Sequence, residues 1–449
     1  MRPNPGKRRN IGSLTAVRVG QTGIPCDTGK RPFLTTYPRP GQDDARARRA
    51  LAARQAMITA TVPAATTPLE VARALAPRIR EQAAAIEAAR QLPADLVMDI
   101  ANARLFRVAL PVAEGGLGAD IVTTLHVIEE VARADGSTGW CLAMGINTLR
   151  QSAQFAPEVR REIFFSDPVG VSAGSANPRG RAVAVPGGYR VTGHWFFASG
   201  CMHSSAVHGA CKVFDGDAPR LRPNGDQEVR IAYFYPKSIA RIIDTWNVSG
   251  LRGTGSHDIE VEDLFVPEER TFSALDLRAR VTGPMNRMHG FDLAGCSFCC
   301  VGLGVARAAI DAFVELAQVK VPRSSSELLR DRALVQARIG EAEALLRSGR
   351  ALLFDVVEDM WETVLAAQPI TERQRADLRL AMTHAAQSAA QATHIVCATA
   401  GTTSIFTASP LERYARDAEV VTRHNQLQFV NYEAVGRTVL GLESNSPLF

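Results

Sequence analysis

The sequence predicts a mainly α-helical protein with a central β-barrel, laid out in the order helices, barrel, four-helix bundle. Three observations predict it. Apolar residues recur at helical spacing between residues 68 and 150. Short alternating runs fill residues 168–270. Long Ala-rich amphipathic stretches follow Leu293.

The elements follow in order. Residues 1–56 hold 12 Lys+Arg against 3 Asp+Glu, are rich in Arg, Pro and Gly, and have no helical or alternating period. They read as a disordered basic extension, with Met57 as an alternative start. The remainder holds 39 basic and 43 acidic residues, so it carries no basic field of the kind nucleic-acid binding needs. No apolar run is read as long enough to span a membrane.

An N-terminal helical domain is expected over 57–167. Pro68-Leu69-Glu70 opens a run with Val71, Leu75, Ile79 and Ile86 on one face, and Leu92-Pro93-Ala94-Asp95 opens a second. In Asp120–Ala134, Ile121, Leu125, Ile128 and Ala132 form a stripe while Glu129, Glu130 and Arg133 face outward. The β-barrel is expected over 168–285. Ala182–Val185, Pro186-Gly187-Gly188 and Tyr189–Thr192 read as a hairpin, and further strands fall near 205–214, 230–235, 240–246 and 258–266. The four-helix bundle is expected over 286–449, with helices at Arg307–Val319, Ser326–Glu358, Thr371–Ala400 and Gln428–Leu440.

Eight cysteines in a chain this long do not suggest a disulfide scaffold, and a reducing cytoplasm is expected. Cys296-x-x-Cys299-Cys300 lies in a run of Ala, Gly and Cys without a second ligand pair, and reads as buried packing. No Glu-x-x-His marks the bundle as a carboxylate metal site, and no Gly-x-Gly-x-x-Gly follows a strand. Neither a metal nor NAD(P)H is therefore expected.

Spacing alone singles out no histidine. His384 and His394 read as structural, His257 as a turn stabiliser, and His203 and His208 as candidates for a substrate mouth. His424, next to Asn425, reads as a helix-start or surface residue. Trp195 and Phe197 at a strand end either cover a flat ring, with backbone N–H groups on its polar edge, or are core aromatics.

Four stretches in order resemble the acyl-CoA dehydrogenase superfamily over about residues 68–445. They are Leu110-Pro111-x-x-x-Gly115-Gly116-x-Gly118, Tyr189-Arg190-Val191-Thr192-Gly193-His194-Trp195, Gly253-Thr254-Gly255-Ser256-His257-Asp258 closing with Phe265-Val266-Pro267, and Pro410-Leu411-Glu412-Arg413-Tyr414-Ala415-Arg416-Asp417. In one large dehydrogenase branch a Glu base follows the Arg-Asp pair. Here His424 or Asn425 stands at that place, and Glu419 falls one helical turn too early. A His there is similar to the flavin-dependent monooxygenase branch, which includes 4-hydroxyphenylacetate hydroxylase, steroid-phenol hydroxylase and dibenzothiophene monooxygenase. Trp195-Phe196-Phe197-Ala198-Ser199-Gly200 followed by His203 resembles the same branch.

The resemblance implies the oxygenase component of a two-component monooxygenase. It would take reduced FMN or FAD from a separate flavin reductase. It would use O₂, through a C4a-hydroperoxyflavin, to hydroxylate an aromatic or polycyclic small molecule, and assemble as a homotetramer. His424 would be catalytic, as base or acid. Ser199 would lie near flavin N5, and Ser172 near C4a. Trp195, Phe197 and Ala198 would belong to the flavin-covering segment. Asn147 falls where several hydroxylases carry a phenol-binding His, and the chain departs from them there. Arg323 and Gly401-Thr402 would reach the flavin of a neighbouring subunit. Three alternatives stay open: an acyl-CoA dehydrogenase with bound FAD, N- or S-oxygenation on the same fold, and a catalytically silent flavin-fold subunit.

Overall fold

The computed structural model describes residues 66–274, 283–323 and 325–443. The expected disordered extension, Met57 and Cys26 lie outside the described residues. Helix α1 (Pro68–Ala89) starts where Thr67 and Glu70 cap each other, and it buries Ala72, Ala76, Ile79, Ala83 and Ile86. Helices α2 (Ala94–Asn102), α3 (Ile121–Ala134) and α4 (Gly136–Arg150) follow, then the single turn α5 (Pro157–Arg160). Asp120 and Asp135 cap α3 and α4 by accepting the N–H of Thr123 and Thr138. Helix α4 is buried over nearly its whole circumference.

Eight strands form one sheet: β1 (Ser172–Val185), β2 (Gly188–Trp195), β3 (Ala206–Asp215), β4 (Ala218–Pro219), β5 (Val229–Phe234), β6 (Arg241–Ile243), β7 (Asp258–Pro267) and β8 (Thr271–Ser273). The expected hairpin is β1–β2, with Val185 opposite Gly188. The order is β6-β7-β2-β1-β3-β5-β8, with β4 beside β3. The expected barrel is therefore not formed. Closure needs the two end strands to pair at a fixed stagger. Here the ends, β6 and β8, span three residues each and pair only inward, with β7 and β5. Trp195 lies in the core of the sheet, is 0% exposed and donates its indole N–H to the Ala210 carbonyl at 2.8 Å. A Cβ on Gly180, Gly193 or Gly209 would stand 2.3–2.5 Å from that indole. Only glycine admits so close an approach.

The C-terminal helices are α6 (Gly290–Val319), α7 (Ala333–Leu365), α8 (Glu372–Ala400), α9 (Pro410–Thr422) and α10 (Asn431–Val439). Helix α8 packs against the other four. Helix α6 begins at Gly290, well before the expected Arg307. Its first half is buried all round, so no amphipathic contrast marks it. Contrary to the sequence reading, α6 is long and apolar enough to cross a membrane, with a mean hydropathy of 1.8, but 89% of that window is buried inside the fold. It is a core helix, and Cys296, Cys299 and Cys300 are fully buried in its packing. One hydrophobic core joins α1–α4 to α6–α9, and the sheet has a second of its own.

Candidate active site

Helix α4 gathers the site. Its Trp140 stacks on Phe298 of α6, with centroids 4.5 Å apart and planes 13° from parallel. The imidazole of His424 meets both rings: its centroid lies 4.5 Å from Phe298 and 5.8 Å from Trp140, edge-on to the latter. The Trp140 indole N–H donates to Ser199 Oγ at 3.2 Å. The structure thus brings His424 and Ser199, 225 positions apart in the sequence, onto one indole.

His424 sits in the turn after α9. Its N–H donates to the Val421 carbonyl, and the Gln426 N–H donates to its Nδ1 at 3.4 Å. Gln426 is buried and donates through Nε2 to the Phe291 carbonyl at 2.6 Å, which fixes the turn against α6. Burial among apolar rings pushes the His424 pKa down to about 4. The imidazole is therefore neutral at pH 7. With Nδ1 accepting from Gln426, its proton is assigned to Nε2.

Ser199 belongs to a chain of buried hydroxyls. Ser199 and Ser256 lie 2.7 Å apart, Ser256 and Thr254 2.7 Å apart, and Thr254 Oγ1 donates to the Leu251 carbonyl at 2.8 Å. One proton per hydroxyl sets the direction. Thr254 spends its proton on Leu251, so Ser256 donates to Thr254 and Ser199 donates to Ser256. Ser199 Oγ accepts from Trp140 and keeps one lone pair open. The N–H groups of Ala198, Ser199 and Gly200 are taken by His257, Phe197 and Thr254 carbonyls. This turn therefore offers a side-chain acceptor in place of the backbone donors the sequence suggested.

The other expected residues are placed as follows. Ser172 opens β1, accepts a bond from Thr148 Oγ1 of α4 on its carbonyl at 2.8 Å, and sets its hydroxyl 3.1 Å from His208 Nδ1 and 3.4 Å from Tyr233 Oη. Burial pushes His208 down to about 4 and the Tyr233 phenol upward. Tyr233 donates to Gln151 Oε1 at 2.7 Å. Asn147, seven residues along α4 from Trp140 and on the same face, donates to the Ala143 carbonyl, while its buried Oδ1 has no hydrogen-bond partner. The Trp195 side chain lies wholly in the sheet core, and Ala198 is buried. Phe197 is 67% exposed, in the left-handed region at φ 64°, with its ring edge-on to Trp246.

Arg323, Gly401 and Thr402 do not join this cluster within the chain. They are exposed beyond the C-terminal end of α6, where Lys320 Nζ holds the Ala400 carbonyl at 2.6 Å and Thr403 Oγ1 at 2.5 Å. Phe298 and Val319 are about 30 Å apart along the axis of α6 at 1.5 Å per residue.

Sequence reasoning missed Trp140, Phe298, Gln426, Tyr233 and the Ser256–Thr254 relay. The Trp140–Asn147 spacing on one helix face was the available signal for the first. The polar groups fit a flat ring with polar edges such as flavin: an open acceptor at Ser199, an orphaned acceptor at Asn147 Oδ1, and an exposed aromatic rim at Phe197.

Comparison with known proteins identifies the family. The acyl-CoA dehydrogenase N-terminal domain model matches residues 69–162, and the C-terminal domain model matches residues 296–429. The chain is 35% identical to an indole-3-acetate monooxygenase of Pseudomonas putida over 353 residues, covering 78% of this chain and 88% of that one. It is 31% identical to the flavin-dependent monooxygenase oxygenase subunit HsaA of Rhodococcus jostii, covering 78% and 92%. The structure of the 3-HSA hydroxylase from Rhodococcus sp. RHA1 superposes with a TM-score of 0.77 at 27% identity, over 86% of this chain and 99% of that one. The chain belongs to the acyl-CoA dehydrogenase superfamily and, within it, to the oxygenase components of flavin-dependent monooxygenases.

Proposed function

We propose that the chain hydroxylates an aromatic small molecule held against the cluster of Trp140, Phe298 and His424, using O₂ and reduced FMN or FAD handed over by a separate flavin reductase. The observation that carries this is the pairing on one indole of a neutral His424 and a Ser199 oxygen with an open lone pair. The reduced flavin supplies the electrons that activate O₂ for insertion of one oxygen atom. Ser199 would accept a hydrogen bond from the ring and hold that proton in place, because its own proton is committed to Ser256. Trp140 and Phe298 exclude water and offer a flat apolar wall. His424 presents Nε2–H to the substrate or to oxygen, as a neutral donor. Ser172, in contact with His208 and Tyr233, would serve the other polar edge.

The acyl-CoA dehydrogenase reading has less support. Glu419, the carboxylate nearest the expected base position, is exposed and paired with Arg423. Asp417 accepts the Leu251 N–H at 2.6 Å. For the homotetramer, support comes from the corner that carries Arg323, Gly401 and Thr402, where Val319, Val321, Ile405 and Phe406 are 48–75% exposed. Seven cysteines among the described residues are buried free thiols, which fits the cytoplasm.

The test is ¹⁸O₂ turnover with a reductase-reduced flavin and a panel of aromatic substrates. Label is expected in the product. His424→Ala should bind reduced flavin as tightly as the parent and lose about a hundredfold or more in product formation. Peroxide alone, with no labelled product across the panel, would sink the oxygenase reading. Bleaching of bound FAD by an acyl-CoA without O₂ would establish its rival.

A further inference from the structure

Asp417 is a buried carboxyl group that the oxygenase reading leaves without a part. It lies on α9, 2% exposed, and accepts the Leu251 N–H on Oδ1 at 2.6 Å. Its Oδ2 is buried without a hydrogen-bond partner, and a Cβ on Gly136, at the start of α4, would stand 3.1 Å from it. One oxygen is committed and the other is walled in, which suits a group that holds its neighbour in place.

The neighbour needs holding. Leu251 stands in the left-handed region at φ 49° and ψ 35°, which an L side chain rarely adopts and which persists only where the surroundings over-determine it. Its N–H goes to Asp417. Its carbonyl takes the Thr254 hydroxyl at 2.8 Å and the Trp246 indole N–H at 3.2 Å. The residues before it are gripped by the same helix. Arg416 donates to the Ser249 carbonyl, and a Cβ on Gly250 would stand 2.4 Å from the Arg416 carbonyl oxygen. From the other side, Ser137 of α4 accepts the Gly253 N–H at 3.1 Å.

This clasped loop passes its position on. The Thr254 carbonyl accepts the Gly200 N–H at 2.9 Å, next to Ser199, and the hydroxyls of Thr254 and Ser256 link the Leu251 carbonyl to Ser199 Oγ. Helix α9 also leads into His424, seven positions after Asp417, whose N–H is bonded to the Val421 carbonyl.

We propose that Asp417 is a positioning residue of the site. By holding the Leu251 N–H it fixes the carbonyl on which the hydroxyl chain ends, so the helix that leads into His424 also sets which way the Ser199 hydroxyl points. The assignment rests on the monooxygenase reading for the use made of Ser199. Without the Asp417 acceptor, Leu251 is free to leave the left-handed region and turn its carbonyl from Thr254. The Thr254 proton then has no fixed acceptor, and the order handed down to Ser199 is lost.

Hydrogen exchange on the flavin-free protein reads the clasp directly. In the parent, the Leu251 amide is expected to exchange as slowly as the amides of α9. Asp417→Ala should speed exchange across residues 249–257 by about tenfold, the worth of one lost hydrogen bond. Asp417→Asn keeps a carbonyl acceptor and should stay near the parent. The second readout is peroxide released in a single turnover of reduced FMN with O₂ and excess protein, without substrate. Release should be about tenfold faster in Asp417→Ala and near the parent rate in Asp417→Asn. Thr254→Val breaks the same chain one link further on. The double variant Asp417→Ala, Thr254→Val should therefore release peroxide no faster than Thr254→Val alone. A fast-exchanging Leu251 amide in the parent, equal defects in the Ala and Asn variants, or multiplied effects in the double variant would overturn the assignment. The parent amide decides it even where Asp417→Ala does not fold. If exchange follows expectation while Thr254→Val leaves peroxide release unchanged, the part given to Ser199 falls and the hold of Asp417 on the loop stands.

Discussion

Trp140 decides the site at the scale of single residues, because it touches the acid–base candidate, the aromatic wall and the hydroxyl relay at once. Its contact with Ser199 matters only while the relay keeps its direction, and that direction is set at the far end by Thr254. Thr254→Val removes both the proton given to Leu251 and the lone pair offered to Ser256. The Ser199 hydroxyl is then free to turn its proton into the site. One buried hydrogen bond is worth about 0.5–1.5 kcal/mol, so the ratio of peroxide released to product formed should rise by up to about tenfold. A peroxide assay run beside product quantification reads this, and an unchanged ratio would mean that Ser199 does not need its relay. None of this was legible in the sequence. Trp140 and Ser199 lie on different elements, and a lone Trp on an apolar helix face is more often core than site. His424 could be reached only through what stands at its place in relatives.

At the scale of elements, helix starts that carry a cap were legible, since Thr67, Asp120 and Thr371 each cap in the structure. Helix α7, without a side-chain cap, was expected at Ser326–Glu358 and runs Ala333–Leu365, and α9 (Pro410–Thr422) was not among the four helices expected. Two further readings failed for physical reasons. The first half of α6 is buried on all sides, so its composition carries no period to detect. The sheet's closure is a property of which strands pair, and the two-residue alternation that reveals a strand reveals its faces and not its neighbours. Trp195 was weighed between ring cover and core, and its side chain lies in the core. The three glycines around it give a direct check. Gly209→Ala places a methyl group 2.3–2.6 Å from the indole. Overpacking of this kind costs about 1–3 kcal/mol, readable as a lower urea midpoint at unchanged slope. A variant as stable as the parent would show that the indole can move aside.

For the whole molecule, buried titratable groups set how stability varies with pH. Burial, reinforced by Asp135 nearby, pushes Asp417 up to about 7. Its ordinary value is near 3.9. Between those limits the folded chain holds a proton that the unfolded chain has released, so this group's contribution falls as pH rises from about 4 to 7 and is level above. His203, His208 and His424, each pushed down to about 4 by burial, act with the opposite sign. There the unfolded chain takes up protons first, and stability is lost as pH falls from about 6.5 to 4. Asp417→Asn isolates the first effect. Relative to the parent, the variant should gain stability steadily between pH 4 and 7 and hold a constant difference above pH 7, in a series of thermal melts. A difference independent of pH would show that Asp417 is ionised throughout.

The hydroxyl relay also has an end point, and the end point matters. It runs from Ser199 through Ser256 and Thr254 and stops at the Leu251 carbonyl, a group that neither gains nor loses a proton near neutral pH. Such a chain is an insulator and not a wire. It can grip a hydrogen offered to Ser199 but has nowhere to send it. His424, the titratable group in contact with the same indole, is not part of this relay. The relay is therefore built to hold a proton at Ser199 and carries none away.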